Sequence, residues 1–225
     1  MRKRGFTLIE LVVTLAVLAL LAMATMPSIA DWLRNARLRN MTESIQTGIQ
    51  QARSEAVRRN RDVTFWLVNL PTAGVLDNTC TLSNGSNANG WVVSVDDPSG
   101  QCGAANSTTV TPMIAARAAT PGAAGVSVTA SNVAANAAAS SVTFSGIGRV
   151  VTSAGTPARN LDRIVMAYAS ANAEDRPLQL DLDVSGGVRR CDLAVTDTSD
   201  QRACPAGSLP DPDSDSGSDD TSEEQ

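Results

Sequence analysis

The sequence predicts an α+β protein in which one long N-terminal helix packs against an antiparallel β-sheet. Three observations support this fold class: a long apolar run near the start, an apolar stripe with helical spacing after it, and short alternating segments beyond residue 61. Several short strands packed on one helix make an α+β domain. A chain of 225 residues has room for one such domain beyond the apolar run.

The apolar run follows a basic cluster at positions 2–4 and begins after Gly5. No residue from 11 to 26 ionises, and with its flanks the run reaches the roughly 20 residues that a membrane-spanning helix needs. A secretory signal peptide cleaved near residues 22–24 and a plain membrane anchor both have this pattern. Glu10 suits neither, because a carboxylate at mid-bilayer costs about 2.5–3.5 kcal/mol and needs a partner.

The segment KRGFTLIEL, residues 3–11, resembles the prepilin signal of type IV pilins and type II secretion pseudopilins. The resemblance implies that a membrane peptidase cuts between Gly5 and Phe6, and that the new amino group of Phe6 is then methylated. It also implies that Glu10 pairs with the amino terminus of a neighbouring subunit during assembly. The expected architecture is therefore the pilin fold, with the apolar segment retained in the mature protein.

The helix is expected to continue beyond the apolar run. Pro27 lies where this family commonly carries a kink, and a proline inside a helix removes a hydrogen bond and bends the axis. Farther along, apolar side chains recur every three or four residues, at Met41, Ile45, Ile49, Ala52 and Ala56. This stripe predicts an amphipathic helix with one buried face, continuing to about residue 60.

Strand-like segments follow at residues 62–68, 90–95, 125–130, 142–148, 163–168 and 178–184. In the last of them, the even-numbered positions from Leu178 to Val184 are apolar, whereas Gln179, Asp181 and Asp183 are polar. This alternation predicts one dry face and one wet face, as in an antiparallel sheet. The small and polar residues of 79–89, and most of 115–139, predict loops.

The segment ARSEAVRRNRDVTF, residues 52–65, resembles the GspH/FimT subgroup, in which the long helix leads directly into the first strand. Some FimT-type minor pilins contact DNA through a glycine, arginine, any residue, arginine motif near the C-terminus. Here Gly186 and Arg189 match, but Gly187 replaces the first arginine and Arg190 lies one place beyond. Two adjacent arginines on a hairpin could hold phosphates, or could simply be solvated beside a Gly-Gly turn.

Four cysteines, Cys80, Cys102, Cys191 and Cys204, predict disulfides in an exported domain, with three connectivities available. Sequence proximity favours pairing the first with the second and the third with the fourth, each closing a loop for about 3 kcal/mol. The chain has no histidine and no C-x-x-C pair, so no metal site is expected. No cofactor and no catalytic residue are expected either.

The charge is concentrated in residues 211–225, which hold seven acids and no base and predict a disordered acidic tail. The predicted organisation is a leader at 1–5, a transmembrane and assembly helix at 6–30, an amphipathic helix at 31–60 and a periplasmic β-rich head at 61–205. The tail then occupies 206–225.

These features predict a minor pilin that prepilin peptidase processes, incorporated into a type IV pilus within a priming or tip complex. Before assembly it would cross the bacterial inner membrane once, with its head in the periplasm. The implied partners are other minor and major pilins or pseudopilins, the prepilin peptidase and methylase, the inner-membrane assembly platform and the lipid bilayer. A GspH-type pseudopilin of a type II secretion system and a DNA-binding FimT-type minor pilin are the alternatives. None of these is an enzyme.

Overall fold

The computed structural model describes residues 7–104, 113–119, 125–133, 135–151 and 160–205, without the side chains of residues 23–28. Helix α1 spans Leu8–Arg59 and is 52 residues long. Within the described residues ten strands follow: β1 Val63–Asn69, β2 Thr81–Leu82, β3 Gly90–Ser94, β4 Met113–Ala118, β5 Val126–Asn132, β6 Ala137–Ala138, β7 Ser141–Phe144, β8 Arg163–Tyr168, β9 Leu178–Leu182 and β10 Val188–Asp192.

The strands form two antiparallel sheets. The first has the order β2-β1-β3-β4, with β7 also paired to β1, and the second has the order β10-β9-β8-β5-β6. Helix α1 contacts β1, β3 and β7 of the first sheet and β8 and β9 of the second. The predicted α+β pilin fold, a long helix packed on antiparallel sheet, is therefore confirmed.

The two halves of α1 have different surroundings. In the C-terminal half, the predicted stripe from Met41 to Ala56 is buried, and Leu38 extends it by one turn. In the N-terminal half, the large apolar side chains between Leu8 and Leu21 are more than half exposed. Over the described residues, no helix has both the length and the apolar character required to cross a membrane.

Four strands lie in segments where the sequence predicts none: β2, β4, β6 and β10. Two of them, β2 and β6, have only two residues each. Strand β4 reads Met-Ile-Ala-Ala-Arg-Ala, and alanine has low β-propensity, so its structure comes from pairing with β3. Strand β10 contains two arginines and is defined by its ladder with β9.

The predicted wet and dry faces of β9 are wrong at two positions. Gln179 is fully buried, because the loop between Cys191 and Cys204 folds back over that face of the second sheet. Gln179 pairs with Cys191 in the ladder between β9 and β10, so its side chain lies on the same face as the disulfide to Cys204. On that face Arg189 also donates to the Ala203 carbonyl at 3.4 Å. Val184 is 64% exposed, since the strand ends at Leu182 and the chain turns away from the core.

The helix approaches the first sheet most closely at Gly48. A Cβ atom there would lie 2.8 Å from Phe65 Cε2 and 2.9 Å from Trp91 Cδ2. The Trp91 ring is held in place, since its Nε1 donates to Ser44 Oγ at 3.0 Å. Glycine is therefore required at this helical position for the two aromatic rings to pack against the backbone.

We expect Gly48→Ala to destabilise the protein by up to about 2 kcal/mol. Overpacking against two buried rings costs about 1–3 kcal/mol, and the better helix propensity of alanine returns only about 1 kcal/mol. Denaturant unfolding measures the change, with the exposed position Gln50→Ala as a control that should stay within about 0.5 kcal/mol. Equal or greater stability of Gly48→Ala would contradict the close packing.

Candidate functional site

The start of α1 is built as a helix cap. Thr7 has an extended backbone, with φ −81° and ψ 152°, and its Oγ1 accepts a hydrogen bond of 3.4 Å from the Glu10 amide. The spacing of Thr7 and Glu10 is that of a capping box, and the carboxylate lies in the first turn, where the helix dipole favours negative charge. The cap uses the backbone amide of Glu10, so its carboxylate stays available for the predicted role in assembly.

The carboxylate of Glu10 is exposed and forms no ion pair within the part of the chain that the structure describes. It is thus accessible to a positive group from outside the subunit. Gly5 and Phe6, the residues predicted to flank the peptidase cleavage site, lie outside the described residues, and so does the side chain of Pro27. Cleavage and methylation at Gly5 and Phe6, the pairing of Glu10 and the kink at Pro27 stay predictions.

A cluster around Arg34 attaches the middle of α1 to the loop after β8. The Arg34 guanidinium donates to both oxygens of Asp175, at 2.8 and 2.6 Å, and lies 3.9 Å from the centre of the Tyr168 ring. Next to it, Asn35 donates to the Glu174 carbonyl at 2.9 Å. The hydrogen bonds from Arg34 lower the pKa of Asp175, although partial burial opposes the shift.

A second cluster attaches the C-terminal end of α1 to two turns. The Arg53 guanidinium donates to the carbonyls of Gly148, Gly186 and Ser185, at 2.9, 3.1 and 3.1 Å. Gly186 has φ +83°, and a Cβ there would lie 2.6 Å from the Gly148 carbonyl oxygen. The Gly-Gly turn is thus a structural contact of the head. Neither Arg34 nor Arg53 was identified from the sequence.

Both disulfides have the pairing that sequence proximity favours. Cys80 joins Cys102, 22 residues apart, and Cys191 joins Cys204, 13 residues apart. Cys80, Cys102 and Cys191 are buried, and Cys204 is half-buried. The first bond closes a segment that includes β2 and β3 of the first sheet, and the second joins β10 to the loop that follows it. The described cysteines leave no free thiol. Both bonds lie within the head, and neither links α1 to a sheet.

Arg189 and Arg190 lie within β10, and not on the turn before it. Successive residues of a strand point to opposite faces, so the two guanidiniums do not form one patch. Arg189 donates to the Ala203 carbonyl at 3.4 Å, whereas Arg190 is 3.6 Å from Glu43 on α1. Contact of Arg189 and Arg190 with DNA stays a prediction.

The acids of the head serve structural roles. Asp181 pairs with Arg163 at 3.2 Å, and the Asp183 carboxylate accepts bonds from Ser185 and the Gly187 amide within its turn. The hydrogen bond from Ser185 is the main cause of the lowered pKa of Asp183. Among the described residues, no group of three histidine, cysteine or acidic side chains is placed to hold a metal ion.

Two protein-family models match this chain, one at its N-terminus and one over the head. Residues 1–26 match the model of the prokaryotic N-terminal methylation motif, and residues 41–187 match that of type II transport protein GspH. The fold is also similar to two crystal forms of the type IV minor pilin FimU of Pseudomonas aeruginosa. The first crystal form is 15% identical to this chain, with 68% of this chain and 90% of FimU covered and a TM-score of 0.41. The second is 18% identical, with 68% and 86% covered and a TM-score of 0.42. No curated protein matches the chain significantly.

A methylation motif at the start of a long helix, followed by an antiparallel head, defines a minor pilin or pseudopilin. The GspH model covers more than half of the chain, and the protein belongs to the GspH family. It is accordingly a structural subunit of the pilin type and not an enzyme. The motif and the family together indicate a membrane-anchored subunit.

We expect the cluster around Arg34 to make stability depend on pH. Folding lowers the pKa of Asp175 below its ordinary value of 3.8. The ionised carboxylate therefore adds to the free energy of unfolding in full above pH 3.8, and this contribution is lost as the pH falls through the lower pKa of the folded state. Denaturant unfolding at a series of pH values should therefore show that Asp175→Asn is less stable than the native chain at pH 7. The difference between their free energies of unfolding should become smaller below pH 3.8. The exposed Asp96→Asn is the control, and a gap independent of pH would contradict the interpretation.

Proposed function

We propose that the protein is a minor subunit of a type IV pilus, assembled with other minor pilins in a priming or tip complex. The observation that carries this proposal is the contrast between the two halves of α1. One half buries a stripe in its own head, whereas the other exposes its large apolar side chains from Leu8 to Leu21, within the matched methylation motif. Such a half-helix needs an apolar environment outside the subunit.

Two environments in succession meet this requirement. Before assembly, residues 6–30 lie in the inner membrane with the head on the periplasmic side, where disulfides form. After cleavage between Gly5 and Phe6 by the prepilin peptidase, the assembly platform moves the segment into a bundle of equivalent helices. Both steps keep the exposed apolar side chains out of water.

Glu10 supplies the register of this bundle. Its exposed carboxylate receives the methylated amino group of Phe6 from a neighbouring subunit, and away from water such a pair is strong. The capping interaction with Thr7 holds the first turn in helical form, so the carboxylate projects from a defined position. The same residue thus acts within the subunit and between subunits.

We expect Glu10→Gln to be cleaved normally but to be incorporated into filaments at least about tenfold less, since one lost ion pair is worth about 1.4 kcal/mol or more away from water. Glutamine also serves at this position of a capping box, so the substitution removes the charge and keeps the cap. Immunoblots of sheared filaments and of membranes measure incorporation, and loss of the leader reports cleavage. Glu10→Asp retains the charge as a control, and normal incorporation of Glu10→Gln would remove the ion pair from the mechanism.

A second candidate is a pseudopilin of a type II secretion system, and the description of the matched family model favours it. Deletion of the gene separates the two functions. We expect fewer surface filaments with normal enzyme secretion, as measured by electron microscopy and by assays of the culture medium. Normal filaments with exoenzymes retained in the periplasm would instead support the pseudopilin. Complementation with the native gene is the control in both cases.

A further inference from the structure

A groove lies between α1, β10 and the loop closed by the second disulfide. Three arginines line it, one from each of these elements: Arg39, Arg190 and Arg202. Leu178 and Cys191 contribute apolar surface, and Asp192 is a carboxylate in the lining. This surface is called the arginine groove below.

The charges around the arginine groove are incompletely neutralised. Arg202 is 2.7 Å from Asp200, Arg190 is 3.6 Å from Glu43, and Asp192 is shared with Arg176 at 3.6 Å. Arg39 is exposed and has no hydrogen bond or ion pair to any residue in the described ranges. Asp200 occupies two of the five N–H donors of Arg202 in a bidentate pair. The Arg190–Glu43 pair is long and exposed, and such pairs are weak and exchange readily, so the groove can accept further carboxylates.

The acidic segment of this chain begins next to the groove. The described head ends at Pro205, directly after Cys204, whose disulfide partner Cys191 lies in the groove lining, with 5.0 Å between their Cα atoms. Asp211, the first acid of the segment, is six residues beyond Pro205, which corresponds to at most about 20 Å of extended chain. Seven acids without a base follow within residues 211–225.

We propose that the arginine groove is a docking site for the acidic segment of this same chain, residues 211–225. Guanidinium groups bind carboxylates through paired N–H donors, and three guanidiniums on separate elements can each engage any of several acids. A tether of a few residues gives an effective concentration in the millimolar range, so weak individual contacts are enough. No fixed conformation of the segment is required.

Docking in cis has a consequence for other ligands. While the segment lies on the groove, Arg39, Arg190 and Arg202 are covered against phosphates or acidic surfaces of other molecules. This inference does not depend on whether the filament is a pilus or a pseudopilus.

Carbodiimide cross-linking of the full chain in detergent micelles tests the proposal. The native sequence has a single lysine, Lys3, so Arg39→Lys places one new reactive amine in the groove. Trypsin cleavage after Arg202 releases the acidic segment, and mass spectrometry after reduction identifies the carboxylates joined to position 39. Arg117→Lys, at an exposed position of β4 in the other sheet, is the matched control.

We expect Arg39→Lys to give about two- to fivefold more cross-linked acidic segment than Arg117→Lys at low salt, the ratio that corresponds to one contact between exposed charges. The excess should disappear in 1 M salt, where the Debye length is about 3 Å. Glu43, four residues along the same helix, reports that the amine at position 39 is reactive. A cross-link to Glu43 without one to residues 211–225 would overturn the proposal.

Mixing ¹⁵N-labelled with unlabelled protein before cross-linking identifies the source of the segment. Products that contain only one isotope support docking within the chain. Mixed products in statistical proportion would show that the groove takes the acidic segment of a second copy, and would overturn docking in cis. Equal yields at positions 39 and 117 would show only nonspecific encounters and would equally overturn it.

Discussion

The fold depends on burial of one stripe of α1 against two sheets at once. Leu38, Ile45 and Ile49 are fully buried, and they contribute to the same core as Phe65 of the first sheet and Leu180 of the second. Burial of each such side chain is worth about 1.5–3 kcal/mol. Since both sheets contact the same helix, the position of one sheet relative to the other is set through α1. The close approach at Gly48 belongs to the same contact.

Two arginines hold this packing at its ends. Arg34 and Arg53 are 19 positions apart on α1, which corresponds to about 28 Å along a helix axis. Arg34 binds a loop after β8, and Arg53 binds the turns beside Gly148 and Gly186. The buried stripe from Leu38 to Ala52 lies between them, and Ala56 extends it one turn beyond Arg53. The head is thus attached to the helix by apolar contacts along its length and by charged hydrogen bonds at both ends, while the N-terminal half of α1 extends free of it.

The sequence was informative wherever a residue pattern and its structural cause lie close together. The stripe from Met41 to Ala56 has the helical period, and both disulfides join cysteines that are near in sequence. The burial of Gln179 could not be predicted, because a loop that follows its strand in the chain folds back to cover it. The partners of Arg53 are backbone carbonyls, which leave no signal in residue type. Strand β4 depends on pairing with β3, since its own alanines favour no strand.

Arg53 binds its two turns through their main chain alone. Every bond it makes to them is accepted by a carbonyl oxygen, so the contact is indifferent to most side chains on those turns. The restricted positions are Gly148 and Gly186, which have positive φ, and Gly146 and Gly187, where a Cβ would clash with a neighbour. Residues such as Ile147 and Val184, which project outward there, can therefore change during evolution without loosening the head. This end of the molecule can acquire new surface chemistry, and hence new neighbours, on an unchanged framework.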